Sequence, residues 1–284
     1  MKFGGVLVLV CLTIFANAGR KFCREADQKL EDLANKIEEL DCSDLGSTGC
    51  EQGPKSCKEI YDKDKPSENK AYMLQMDSGE LPVYCNMDGV GLGECGSGGW
   101  TLVMKIDGTK RTFHYDSPLW TNKKEYGIPE GETGLDDNES KLPTYWNTPF
   151  TKICLIMKIK GKPTTRFLVL NEKARSLYAL IGDDKYRKTK VGRGAWKKLI
   201  GPEASLQLFC YREGFNVVGD NKSFSKARIG YVADQENDCL SFDSRIGFGT
   251  GGHQDDSNTC GNEATNSADN GDKHIKAMGY ILVQ

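Results

Sequence analysis

Histidine is scarce in this chain of 284 residues: His114, His253 and His274 are the whole supply. None stands in an H-E-x-x-H spacing, and no G-x-S-x-G elbow occurs, so the common zinc-hydrolase and serine-hydrolase arrangements are excluded. No two cysteines are close enough to form the paired C-x2-4-C loops of a structural zinc site; the nearest, Cys50 and Cys57, are seven apart. Long apolar runs are missing after residue 20, where charge interrupts every one. The only run, Val6 to Phe15, has about half of the roughly 20 residues a membrane-spanning helix needs. A surplus of either charge is missing too. Lys and Arg number 38 against 40 Asp and Glu, net −2, and the basic residues read as scattered. No field draws the chain to nucleic acid or membranes. Gly91-Leu92-Gly93-Glu94-Cys95-Gly96 matches G-x-G-x-x-G, but Gly98-Gly99-Trp100 and a strand follow it. No helix N-terminus is there to hold a phosphate. An enzyme is not expected.

Cysteine and glycine are abundant. The start, Met1-Lys2, an apolar stretch and Ala16-Asn17-Ala18, reads as a signal peptide over 1–18. Of 11 cysteines, Cys11 leaves with it and 10 remain, an even number that reads as a disulfide framework in an oxidising, extracellular compartment. Residues 19–41 hold a short amphipathic helix. Cys23, Ala26, Leu30, Leu33, Ile37 and Leu40 recur at spacings of three and four, an a/d-like seam. It packs either on a second chain, making a homo-oligomer through residues 22–40, or on its own domain. Residues 42–55 are a Cys-containing linker rich in Gly, Ser and Asp.

From 56 to 284 the signals are mainly of strands. Tyr72–Met76 and Leu81–Cys85 flank Asp77-Ser78-Gly79-Glu80 and read as a hairpin. Further strands are expected at Trp100–Ile106, Ile153–Ile159, Arg166–Leu170, Leu206–Tyr211 and Ile275–Val283, with a short helix near Glu172–Leu180 and irregular chain from Ser117 to Thr148. With 32 glycines, the fold class is α+β: a disulfide-rich, loop-rich domain with an antiparallel sheet.

Ser56-Cys57-Lys58-Glu59-Ile60-Tyr61, Leu81-Pro82-Val83-Tyr84-Cys85-Asn86-Met87 and Gly98-Gly99-Trp100-Thr101-Leu102-Val103-Met104 together resemble the opening of a fibrinogen C-terminal domain. The closing Ile275–Val283 is similar to the final strand of intelectins. The chain as a whole resembles secreted fibrinogen-like proteins of cnidarians, including coral skeletal organic matrix components. The resemblance covers the first fifty residues of the domain best. It implies disulfides Cys57–Cys85 and Cys239–Cys260. It also implies a calcium loop with Asp255, Asp256 and Asn258 as ligands, of the oxygen-rich kind that Ca2+ prefers. A ligand pocket beside that loop would include Phe248, His253, Asn262 and Glu263.

Two sequons, Asn138-Glu139-Ser140 and Asn221-Lys222-Ser223, mark candidate glycosylation sites on loops; Asn258-Thr259-Cys260 is a weak third. The functional expectation is a secreted recognition module that binds extracellular glycans or glycoproteins, with calcium assisting. The alternative is a structural extracellular or skeletal matrix protein without a discrete pocket.

Overall fold

The computed structural model describes residues 53–284 apart from Asp238. The expected signal peptide, the expected seam at 22–40, Cys23, Cys42, Cys50 and most of the expected linker lie outside the described residues. The strands in chain order are β1 (Lys70–Met76), β2 (Gly79–Asn86), β3 (Trp100–Asp107), β4 (Ser140–Lys141), β5 (Ile153–Ile159), β6 (Thr165–Leu170), β7 (Arg187–Lys188), β8 (Phe209–Val217), β9 (Lys226–Asp234), β10 (Ser244–Gly251), β11 (Cys260–Ala264) and β12 (Lys273–Val283). Four short helices accompany them: α1 (Cys57–Asp64), α2 (Thr144–Asn147), α3 (Leu177–Ile181) and α4 (Arg193–Lys198).

The Ser56 hydroxyl caps α1 by accepting from the Glu59 N–H at 3.2 Å. β1 and β2 then turn tightly, with Met76 opposite Gly79. Gly99 brings the chain past α1: a Cβ there would lie 2.4 Å from the Cys57 carbonyl oxygen, and φ is +81°. Only glycine suits that position. Trp100 follows, fully buried, its Nε1–H donating to the Gly96 carbonyl at 3.0 Å.

All strand pairs are antiparallel, in the order β1-β2-β3-β12-β11-β10-β9-β8-β7, with β4 on β3 and β5–β6 attached through β12. β12 organises both cores by strand alternation. Ile281 and Val283 join Val103, Trp120, Trp196 and Ile229 on one side. Tyr280 and Leu282 join Leu74, Cys85 and Trp100 on the other.

Three disulfides tie the described residues together. Cys57–Cys85 joins α1 to β2, Cys95–Cys154 joins the 93–95 turn to β5, and Cys210–Cys239 joins β8 to the β9–β10 loop. The last of these corrects the expected Cys239–Cys260 bond. The β9–β10 loop delivers Cys239 to the Ser244 end of β10, whereas Cys260 sits opposite Phe248. Four strand residues span about 13 Å, beyond the reach of a disulfide. Among the described residues Cys260 has no disulfide partner and is a buried thiol. Burial, with Asp107 and Glu139 nearby, raises it well above the ordinary thiol range.

The expected strand at Leu206–Tyr211 starts later, at Phe209, and β9, β10 and β11 were not expected as strands. Every residue of those three is buried, so no polar face exists to produce an alternating pattern. Among the described residues no helix is long and apolar enough to cross a membrane.

The Cys57–Cys85 bond closes a loop of 28 residues in separation. Replacing both cysteines by alanine is expected to lower unfolding stability by about 3 kcal/mol, measured by urea denaturation. A loss below about 1 kcal/mol would mean that the α1–β2 junction is held by packing alone.

Candidate functional site

The residues singled out in the sequence converge on the chain between β10 and β11. What holds this loop is Arg245, on β10 and 1 % exposed. Its Nη1 donates to the Gly252 carbonyl at 3.2 Å, the His253 carbonyl at 3.0 Å and the Ser225 hydroxyl at 3.0 Å. Its Nη2 donates to the Asp255 carbonyl at 2.6 Å and the Asn258 carbonyl at 3.4 Å. Burial lowers the guanidinium to about 10, against the opposing pull of Glu263, Asp255 and Asp256. The charged form is thus retained at neutral pH, and the loop carbonyls are bonded from beneath.

Asn258 is the second support. It is buried, and its Nδ2 donates to the carbonyls of Asn262 at 3.2 Å and Ile275 at 3.1 Å and to the Glu263 carboxylate at 3.3 Å. Glu263 is enclosed as well. Burial raises its carboxyl, and Arg245, His274 and Asn258 oppose that shift. The His274 Nδ1 contacts the same carboxylate from the exposed side.

The flank is fixed by residues distant in sequence. Asp256 meets Arg111 Nη2 at 2.9 Å, His114 Nε2 at 2.8 Å and the Gly252 N–H at 2.7 Å. The Asp116 N–H donates to His114 Nδ1 at 3.2 Å, so the proton lies on Nε2 facing Asp256. Burial raises the Asp256 carboxyl, but these three donors outweigh it and leave it well below the usual carboxylate range. Asp255 accepts from the Ser257 N–H and hydroxyl and lies 3.3 Å from Lys276. It too is lowered, against the effect of burial.

Several expectations are corrected by this geometry. Phe248 is fully buried and packs where Gly279 leaves room. Asn262 is spent across the sheet, donating to the Ser205 and Arg245 carbonyls at 2.8 and 2.9 Å and accepting from the Ser205 N–H. With Glu263 these residues support the loop from inside and offer no surface to a ligand. His253 is exposed, its ring tilted against Phe224 at 5.7 Å. Gln254 and Asp256 are exposed beside it.

The donor set does not fit calcium. Both carboxylates already face cations, and Asn258 turns its amide inward, with a buried Oδ1 that has no partner among the described residues. Among those residues no three His, Cys, Asp or Glu side chains are grouped to hold a metal. The sequons Asn138 and Asn221 are exposed, whereas Asn258 is 1 % exposed and its amide is engaged, so the folded domain does not present it for modification.

The sequence reading missed Arg245, Arg111 and His114. Arg245 carries a legible signal: a single charge inside the otherwise uncharged run Ser244–Gly251. Arg111 carries none, because its partner is 145 residues away.

No family model matches the chain. Among solved structures, the fibrinogen-like globe domain of human ANGPTL6 aligns with a TM-score of 0.28 and 19% sequence identity, over 44% of this chain and 52% of that one. The chain thus spans about half the length of that structure, and at this TM-score the likeness carries no functional argument.

Two outcomes are expected. Arg245→Met takes a donor from four loop carbonyls and leaves that of Gly252 with none, while those of His253, Asp255 and Asn258 keep Ser225, the Asn258 N–H and Thr250. A loss of about 2 kcal/mol is expected, and amide exchange should accelerate across 252–258 before the rest of the sheet. Exchange unchanged in that loop would show that Asn258 suffices. The second outcome concerns acid. Asp256 is lowered from 3.8 in the folded state, so its stabilisation is complete above about pH 4 and lost as pH falls through its folded value. Asp256→Asn should therefore flatten the decline in denaturation midpoint between about pH 4 and 2. An unchanged slope would assign the decline to the other carboxylates.

Proposed function

We propose that the domain is an extracellular recognition module of the fibrinogen C-terminal type. Its ligand-facing surface is the loop 252–257 with the adjoining Arg111, and its ligands are hydroxyl-rich glycans or glycoproteins. The observation that carries the reading is the use of a wholly buried arginine to fix an exposed loop by its carbonyls. A loop ordered before binding loses little entropy when it binds. Such order is of no use to a merely solvated turn. The side chains left outward, His253, Gln254 and Asp256, pair donors and acceptors in the way sugar hydroxyls require.

The three disulfides support an oxidising compartment. The fibrinogen-type assignment is supported by the α1–β2 clasp and by Trp100 behind Gly98-Gly99. Calcium has no part in this reading, because Arg111 and Lys276 already face the two carboxylates.

The test is a glycan array probed with the mature, oxidised protein, with calcium and then with EDTA. Selective binding is expected in both conditions, weakened about tenfold by a His253→Ala, Gln254→Ala double substitution. Loss of binding in EDTA would overturn the calcium-free reading. No binding by folded protein in either condition would overturn the recognition role and leave the structural matrix role in its place.

A further inference from the structure

The near-zero net charge conceals a partition. Between residues 152 and 198 stand 14 Lys and Arg against three Asp and Glu, so the rest of the chain carries 24 against 37. This basic segment runs from β5 through α4 and includes β6 and β7, each of which has only one strand neighbour. Lysines on edge strands deter sheet-to-sheet association, and that accounts for Lys188 and Lys190. It does not account for Arg166.

Arg166 lies at the start of β6, half-buried, on the wall of a cleft of about 300 Å³. Ile159, Ile200 and Pro202 line the cleft with apolar surface, and Lys162, Thr164 and Glu203 add its polar groups. The guanidinium rests against Gly201, where a Cβ would fall 2.3 Å from Cζ and φ is +89°. The glycine therefore makes the space the guanidinium occupies. Glu203, the one carboxylate lining the cleft, bridges to Lys162 at 3.3 Å. The Arg166 side chain has neither ion pair nor hydrogen bond with any described residue. Lys160, exposed and likewise unpaired, stands in the same β5–β6 turn.

We propose that this cleft binds an anionic group, a sulfate or carboxylate, of an acidic polysaccharide, at a site separate from the loop 252–257. A guanidinium fixed on one face presents its N–H edge to a planar or tetrahedral oxyanion through two parallel hydrogen bonds. The apolar floor suits the carbon face of a sugar ring, and the surrounding lysines favour a chain of repeated charges over a single small anion. The other wall, Pro163 and Pro202, limits how far the cleft can collapse when empty.

The test is surface plasmon resonance of the mature protein on immobilised heparin, with neutral dextran as the comparison polymer. Binding to heparin and not to dextran, weakening as salt rises, is expected. Arg166→Ala should weaken it about tenfold, and Arg166→Lys should recover only part, since an ammonium lacks the fork. Lys188→Ala with Lys190→Ala, and Arg111→Ala beside the loop, should leave it unchanged. Thermal melts of each variant establish that the fold is intact; should Arg166→Ala not fold, Lys160→Ala with Lys162→Ala replaces it, with the same weakening expected. Absence of heparin binding, or an equal loss from the Lys188/Lys190 pair, would overturn the site. Loss in Arg111→Ala, which removes the cation beside the loop, would place heparin there and overturn its separateness, while the array result for neutral glycans stands apart.

Discussion

A guanidinium removed from water must be given acceptors, and Arg245 takes nearly all of its own from the loop that it supports. Burying the charge is costly unless hydrogen bonds replace its hydration. Four backbone carbonyls and one hydroxyl do so here. The dependence is mutual: the Gly252 carbonyl has no other donor among the described residues, and those of His253, Asp255 and Asn258 share theirs with Ser225, the Asn258 N–H and Thr250. One side chain therefore settles both where the 252–258 segment runs and which residues it turns outward.

The neighbouring segment, 109–117, depends on similar ties. Arg111 and His114 grip Asp256. Lys226 pairs with Asp116 at 2.7 Å, and Arg228 donates to the Tyr115 carbonyl at 2.7 Å while lying 4.3 Å from that ring. Trp120 Nε1 reaches back to the His114 carbonyl at 3.1 Å. None of the three disulfides lies in either segment. The cystines brace the core around Leu74 and Trp100 and the β8–β9 region, and charge-assisted hydrogen bonds order the face proposed to meet a ligand.

Much of the first half was legible in sequence because its strands are amphipathic or bounded by turns. The β1–β2 hairpin alternates, Gly99 and Trp100 mark the entry to β3, and at the far end of the chain β12 closes on the apolar stretch Ala277–Val283. The central strands were not legible. β9 and β10 are buried along their whole length, and they hold Lys226, Arg228 and Arg245, residues that usually argue for a surface. Several of their partners, Asp116 and the Tyr115 carbonyl among them, come from a loop more than a hundred residues away or from a turn still to be formed, which no local pattern reports.

The site was half legible for the same reason. An acidic loop before a cysteine does not disclose whether its carboxylates face water, a metal or cations of the chain, and here the cations Arg111 and Lys276, with the N–H of His114, decide it. Cys260 was paired by analogy of position, whereas its register opposite Phe248 commits it to the interior. Overall charge also misled, since a balanced total hid the basic stretch from 152 to 198.

The central claim is that the Arg245-supported loop is the surface that meets a ligand. Titrating the isotopically labelled mature protein with the strongest array glycan, and following backbone amide shifts, tests it most directly. Saturable shifts concentrated at 252–257 and 109–116, with the β8–β9 region unmoved, are the predicted result. Saturable shifts confined to other loops, with 252–257 silent, would contradict it.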